Sequence, residues 1–239
     1  MTAGLVVAAA LLGTLSLTVG LDAAGWVAGG AVALVTLLLL DRGLRRSGAQ
    51  SLGPANAVTC ARALLVAGVT ALVASDGPAE TIVVLTVLAL ALDGVDGMVA
   101  RRTATASALG ARFDMEVDAF LLLALCGVLA RTVGAWVLVI GLLRYAFVAA
   151  GVLLPWLAAP LPARFSRKVV AAAQGVVLVT AVSGLLPPAA AVVALSAALA
   201  ALCWSFGRDV CWLARWRAGR RSAVAARPGA ADDVLRAVP

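Results

Sequence analysis

Residues 93–118 read DGVDGMVARRTATASALGARFDMEVD and separate two strongly apolar runs. Asp93 and Asp96 are three residues apart, and Asp114 and Asp118 are four apart, so each pair lies on one face of a helix. Acidic side chains at membrane depth are energetically expensive and usually functional. The stretch therefore predicts that one helix ends and the next begins with a carboxylate pair, and that the two pairs converge.

The rest of the composition is that of a membrane protein. The chain has 239 residues, of which 63% are hydrophobic and 13% charged, with a mean hydropathy of +1.06. Soluble domains are roughly half apolar and a quarter charged, so both a water-soluble globule and a disordered chain are excluded. The absence of His excludes imidazole catalysis and His-ligated zinc. The four Cys form no CxxC pair, which indicates buried, reduced thiols.

Eight apolar runs set the number of membrane helices. A helix needs about 20 apolar residues to cross a bilayer. The runs are 3–21, 24–40, 57–75, 81–92, 119–130, 132–154, 169–186 and 188–206. The two short runs that flank 93–118 reach full length by extending into it. We therefore predict an all-α, polytopic membrane protein with eight helices. The first is a retained helix rather than a cleaved signal, because no Lys or Arg precedes it.

The positive charges give the expected orientation. With the N-terminus inside and the helices alternating, every Lys and Arg except Arg131 and Arg144 lies on the inner side. We expect an integral protein of the plasma membrane with both termini and the carboxylates at the cytoplasmic face. In the second helix, the Gly25-xxx-Gly29 spacing is typical of a packing face.

The converging aspartates predict a metal site. Four carboxylates in one partly dehydrated pocket repel one another and either take up protons or bind divalent cations. Ligation by oxygen alone favours Mg²⁺ or Mn²⁺ over zinc. Two such ions are the usual means of holding a pyrophosphate during displacement at phosphorus. Glu116 is two residues from both neighbouring aspartates, points elsewhere on the helix and is left out of the site.

At this point the chain resembles the CDP-alcohol phosphotransferases, whose pattern is D-x2-D-G-x2-A-R-x8-G-x3-D-x3-D. The pattern is complete here as Asp93, Asp96, Gly97, Ala100, Arg101, Gly110, Asp114 and Asp118. Upstream, Asn56, Thr59 and Arg62 are similar to the family's N-x-x-T-x-x-R. The resemblance covers a six-helix catalytic core at 54–206. Residues 1–53 then form two N-terminal helices with a basic cytosolic loop, and 207–239 a basic interfacial segment and flexible tail.

The resemblance implies a reaction and a role for each motif residue. A phosphatidyl group, or another lipid phosphoryl group linked to CDP, would move from a CDP-lipid such as CDP-diacylglycerol to an alcohol, with release of CMP. Two Mg²⁺ or Mn²⁺ ions would be held by the four aspartates, and Asp118 would also be the general base. The residues implied to contact the CDP-lipid are Asn56, Thr59, Gly97, Arg101 and Ser107.

The acceptor alcohol is less well defined. Arg164 and Lys168 precede one core helix and Arg144 lies within the preceding span, so these three cations are the candidate acceptor residues for a phosphorylated alcohol. Ala119, where related chains that use such acceptors often carry Lys or Arg, argues against it. The sequence does not identify the acceptor, and it leaves the oligomeric state open, a homodimer included.

Two other interpretations account for part of the pattern. The aspartates could be loop charges that cap helices and pair with neighbouring arginines, which explains any single aspartate but not the spacing of all four. The alternative function is a cation- or proton-coupled transporter that uses the aspartates as an ion pathway. Transporter carboxylates tend to lie near the bilayer midplane in two repeated halves, whereas here they form one cassette at one membrane face.

Overall fold

The computed structural model describes residues 2–47, 54–103, 108–162 and 164–225, without the side chains of 46–47, 54–56, 95–103, 108–109, 111–112 and 221–225. The described residues form eight α-helices and no strand. The helices are α1 (Thr2–Val19), α2 (Ala23–Ser47), α3 (Pro54–Ala74), α4 (Ala79–Thr103), α5 (Ala108–Thr132), α6 (Leu138–Leu153), α7 (Phe165–Val182) and α8 (Pro188–Ala225). Short 3-10 turns cover Ala135–Val137 and Pro155–Ala158. The predicted all-α fold is confirmed.

Six of the helical stretches in the described residues are long and apolar enough to cross a membrane: α1, α2, α3, α7, α8 and the stretch Ala135–Leu153 that contains α6. The other two helices, α4 and α5, have 25 residues each, and one half of each helix belongs to the charged stretch 93–118, which we call the cassette. The chain is therefore a polytopic membrane protein. As predicted, the short apolar runs beside the cassette gain their length from it.

Helix α3 is the centre of the bundle, because it packs against α1, α2, α4 and α5. Val69, Ala71 and Leu72 on α3 are fully buried, as are Leu125 and Cys126 on α5. Helix α5 also packs against α6 and α7, and α8 covers α6 and α7 on the far side. The charged halves of α4 and α5 therefore both lie against the first half of α3.

Short polar contacts tie the opposite end of the bundle together. The Ser75 hydroxyl donates a 2.6 Å hydrogen bond to Asp22, which also accepts one from the Gly25 N–H. The Ser75 bond is the main reason that the pKa of Asp22 lies below its ordinary value. Arg131 forms an ion pair with Asp76 and donates to the carbonyl oxygen of Val73. The connections that follow α1, α3 and α5 thus meet at one end, as alternating helices require.

Glycines allow α2 to approach α3 closely. A Cβ on Gly25 would lie 2.8 Å from the carbonyl oxygen of Ala71, and a Cβ on Gly29 would lie 3.0 Å from that of Ala67. Both distances are too short for a larger residue, since backbone atoms cannot move aside. The predicted glycine packing face is confirmed, and its partner is α3.

Helix α8 continues without a break through residue 206, where we predicted that the catalytic core ends and a separate interfacial segment begins. It has 38 residues and spans about 57 Å at 1.5 Å per residue, well beyond a bilayer core of about 30 Å. The basic segment that we predicted as a separate interfacial element therefore continues the last membrane helix. Cys203 and Cys211 are exposed on α8, so the expectation that all four thiols are buried is wrong for these two.

Candidate functional site

Three of the four predicted aspartates come together where α3, α4 and α5 meet. Asp93 lies on α4, and Asp114 and Asp118 lie one turn apart on α5. One carboxylate oxygen from each lies within 4.8 Å of those of the other two. Helix α4 continues through Thr103, which places Asp96 one turn beyond Asp93, although its side chain lies outside the described ones.

Arg62 of α3 lies beneath these carboxylates and contacts all three. Its Nη1 is 2.8 Å from Asp93 Oδ1 and also contacts Asp114, and its Nη2 contacts Asp118. The Arg62 side chain is 1% exposed, whereas the three aspartates are 31–43% exposed. The site is therefore a shallow carboxylate cup, open on one side, with a buried guanidinium as its floor. We call it the aspartate cup.

The motif N-x-x-T-x-x-R contains Arg62, but the sequence assigns this residue no role in the site. The available signal was that Arg62 is the only charge in the apolar run 57–75. An arginine at such a position needs a partner, because a guanidinium stays protonated even when buried. Which partner it takes depends on how α3 packs between α4 and α5, and the sequence does not show this.

The charges and the donor atoms of the aspartate cup suit a divalent cation. With all three carboxylates ionised, as a bound cation would require, the carboxylates and the guanidinium together carry two net negative charges. All the candidate ligand atoms are carboxylate oxygens, which Mg²⁺ and Mn²⁺ prefer. Opposite ligands of a Mg²⁺ ion lie about 4.2 Å apart, so the 4.8 Å spread needs only small side-chain shifts. The cup could therefore hold a metal ion.

The residues implied for the CDP-lipid are only partly described. Thr59 lies one turn before Arg62 on the same face of α3 and is buried. The backbones of Asn56, Gly97 and Arg101 are helical, but their side chains lie outside the described ones, and Ser107 lies outside the described residues altogether.

Glu116 and Arg144 form an ion pair between α5 and α6. The geometry agrees with leaving Glu116 out of the aspartate set, since its side chain is directed to a different neighbouring helix. Sequence position made Arg144 a candidate acceptor residue, with its guanidinium free to bind a phosphate. Its observed partner is instead Glu116.

The other acceptor candidates lie at the start of α7. Arg164 is the N-cap residue of α7, and Lys168 is exposed in its first turn. Between them, Arg167 lies 3.6 Å from the buried Asp209 of α8, and Arg208 donates a 2.8 Å hydrogen bond to Ser166. Sequence analysis did not find this junction of α7 and α8, because its two halves are about 40 residues apart in the chain.

Comparison with known proteins identifies one family. The family model for CDP-alcohol phosphatidyltransferase matches residues 53–206, which contain the whole aspartate cup. No curated protein and no solved structure matches the chain.

Proposed function

The chain belongs to the CDP-alcohol phosphatidyltransferase family, and we propose that it transfers a phosphatidyl group from a CDP-linked lipid such as CDP-diacylglycerol to an alcohol. The observation that carries the proposal is the aspartate cup, in which Asp93, Asp114 and Asp118 meet over Arg62 within the matched region. The enzyme would be an integral plasma-membrane protein with both termini and the cup on the cytoplasmic side, which is the side that the distribution of Lys and Arg favours.

Asp93, Asp96, Asp114 and Asp118 would hold two divalent ions, Mg²⁺ or Mn²⁺. Such ions supply positive charge that offsets the charge developing on a pyrophosphate during displacement. Arg62 fixes the carboxylates from below and keeps three anionic groups close together before any metal binds. One buried cation thus positions the carboxylates that would be the metal ligands.

Asp118 is the proposed general base. It accepts the proton of the acceptor hydroxyl as that oxygen forms a bond to the phosphorus that bears the lipid. The bond between this phosphorus and the oxygen bridging to CMP breaks, and CMP leaves with the electron pair. The family's pattern implies this role for Asp118, and its 42% exposed side chain, held by Arg62, is accessible to an alcohol.

The donor would lie along the first turns of α3 and the end of α4. We assign the contacts with the CDP-lipid to Asn56, Thr59, Gly97, Arg101 and Ser107. Gly97 lacks a side chain where a nucleotide would come close, and Arg101 supplies a cation for a phosphate. Two of these residues support this placement, since Thr59 is one turn from Arg62 on α3 and Gly97 is one turn from Asp93 on α4.

Arg164 and Lys168 remain the proposed acceptor contacts, and a phosphorylated alcohol is the acceptor class that they favour. Both cations are at the first turn of α7, where the helix dipole adds to the attraction for an anion. Arg144 is a weaker candidate because it is already paired with Glu116.

Purified protein incubated with CDP-diacylglycerol and a panel of alcohols tests the proposal. We expect CMP release that depends on one class of alcohol, stops with EDTA and returns with excess Mg²⁺ or Mn²⁺. The readout is CMP measured by chromatography. CMP release that continues unchanged in EDTA would contradict a metal-dependent transfer.

A further inference from the structure

A second candidate site lies away from the aspartate cup, between α8 and the 3-10 turn Pro155–Ala158. A cavity of about 420 Å³ is lined there by Trp156, Ala214, Arg217 and Ala218. None of these residues lies on α3, α4 or α5, which build the cup. The cavity is therefore formed by different elements from the site of the proposed reaction.

Two hydrogen-bond donors at this cavity lack an acceptor in the described part of the chain. The indole N–H of Trp156 is buried and has no hydrogen-bond partner there. Buried donors nearly always have a partner, because an unsatisfied one costs about 1–3 kcal/mol. The Arg217 guanidinium lies 5.4 Å from the centre of the Trp156 ring, and no described carboxylate pairs with it. A ligand with acceptor oxygens and negative charge would pair with the guanidinium directly, and a small movement of the Trp156 ring would bring its N–H, which has almost no accessible surface, into reach of the same ligand.

The position of the cavity along α8 indicates where that ligand comes from. Arg217 is 29 residues beyond Pro188, which is about 44 Å along the helix. A bilayer is about 30 Å thick across its hydrocarbon core and about 40–45 Å with its headgroups. If α8 enters the membrane at Pro188, Arg217 reaches the headgroup layer on the opposite side. Trp216 lies next to Arg217 on α8, and Trp212 lies one turn before Trp216. Tryptophan is enriched at the depth of the headgroups.

We propose that this cavity binds the phosphate of an anionic phospholipid headgroup, with Arg217 and the Trp156 N–H as its donors. The Ala214 and Ala218 side of the cavity leaves room for the glycerol backbone, since alanine adds little bulk. The site differs from general attraction of a basic helix to an acidic membrane, because it depends on one arginine held against one aromatic ring.

The test is a lipid titration of the full-length protein in detergent, read by native mass spectrometry. Phosphatidylglycerol is the anionic probe and phosphatidylcholine the neutral one. We expect Arg217→Gln to weaken phosphatidylglycerol binding by a factor of about ten, and Trp156→Phe, which removes the N–H but keeps a ring, by a factor of about three to ten. The matched control is Arg215→Gln, which removes the same charge from an exposed position two residues away.

Binding that falls equally in Arg215→Gln and Arg217→Gln would overturn the proposal, since it would show diffuse attraction. Equal binding of phosphatidylcholine would also overturn it. Complete displacement of the lipid by excess inorganic phosphate would assign the site to free phosphate and overturn the lipid assignment. If Arg217→Gln fails to fold, the effect of Trp156→Phe on phosphatidylglycerol binding still tests the site. The measurement requires no transferase activity, so its outcome is independent of the proposed reaction.

Discussion

At the scale of single residues, Arg62 determines whether the aspartate cup can exist without metal. Replacing it with Ala leaves three carboxylates without their shared cation, and we expect a loss of about 1–3 kcal/mol in the free energy of unfolding. The cost is below the 3–5 kcal/mol typical of a fully buried ion pair, because the aspartates are partly solvated. Thermal unfolding in detergent measures the loss, and Mg²⁺ should restore part of it.

The control for this prediction is Arg45→Ala. Arg45 also pairs with an aspartate, Asp41, but its side chain is 77% exposed. Exposed pairs of this kind contribute about 0.3–0.5 kcal/mol, so the melting temperature should barely change. Equal shifts of the melting temperature in Arg45→Ala and Arg62→Ala would show that the buried contacts with the three aspartates add no more stability than an exposed ion pair does.

The spacing of residues predicts that the aspartates of the site lie close together, but it does not predict that Arg62 pairs with them. Asp114 and Asp118 four residues apart must share a helix face, so their approach to one another follows from helical geometry alone. The partner of Arg62 and the pairing of Glu116 with Arg144 depend on which helices are neighbours. Such contacts join residues that are tens of positions apart, and hydropathy and spacing carry no information about them.

At the scale of elements, the α2–α3 contact depends on the absence of side chains at two positions. Gly29→Leu would place new atoms against the Ala67 carbonyl and the Ala71 side chain, so α2 must move away from α3. We expect a loss of about 1–3 kcal/mol from overpacking, seen as a lower melting temperature. The matched control is Gly30→Leu, because a Cβ there meets nothing within 4 Å. A Gly30 variant as unstable as the Gly29 variant would contradict this packing.

Six of the helices were predictable because their apolar runs are long and bounded by charge, Gly or Pro, and the two helices with short runs were predictable because each run continues into 93–118. The end of α8 was not. The sequence suggests a change of environment near residue 206, where Trp and Arg begin to alternate, but a change of environment need not end a helix. Residues 204–221 contain no Pro and five Arg, which is a strong helix former, so the helical backbone continues despite the two Gly in the stretch.

At the scale of the whole molecule, the two ends of the helix bundle differ in charge. The basic residues of α8 and α7 lie at the end that holds the aspartate cup, and the Asp22, Ser75 and Arg131 contacts lie at the other. The positive-inside rule predicts that the cup end is cytoplasmic.

Cysteine labelling of intact cells tests this orientation in a background without native cysteines. An impermeant thiol reagent should label Glu80→Cys, at the exposed start of α4, without permeabilisation. The counterpart Arg215→Cys, exposed on the far half of α8, should react only after permeabilisation. The reverse pattern would place the cup on the outer side, where no CDP-linked substrate is expected.

If the aspartate cup carries out the transfer, CMP release must differ sharply between two carboxylate-to-amide variants of α5. Asp118→Asn removes the proposed base while keeping the side-chain size, and we expect it to lower CMP release by at least about a hundredfold. Glu116→Gln makes the same chemical change two residues away, on the α5 face that contacts Arg144, and should retain most of the activity. Both variants must be extractable and elute like the unmodified protein. Full CMP release by Asp118→Asn, or equal loss in both variants, would contradict the claim.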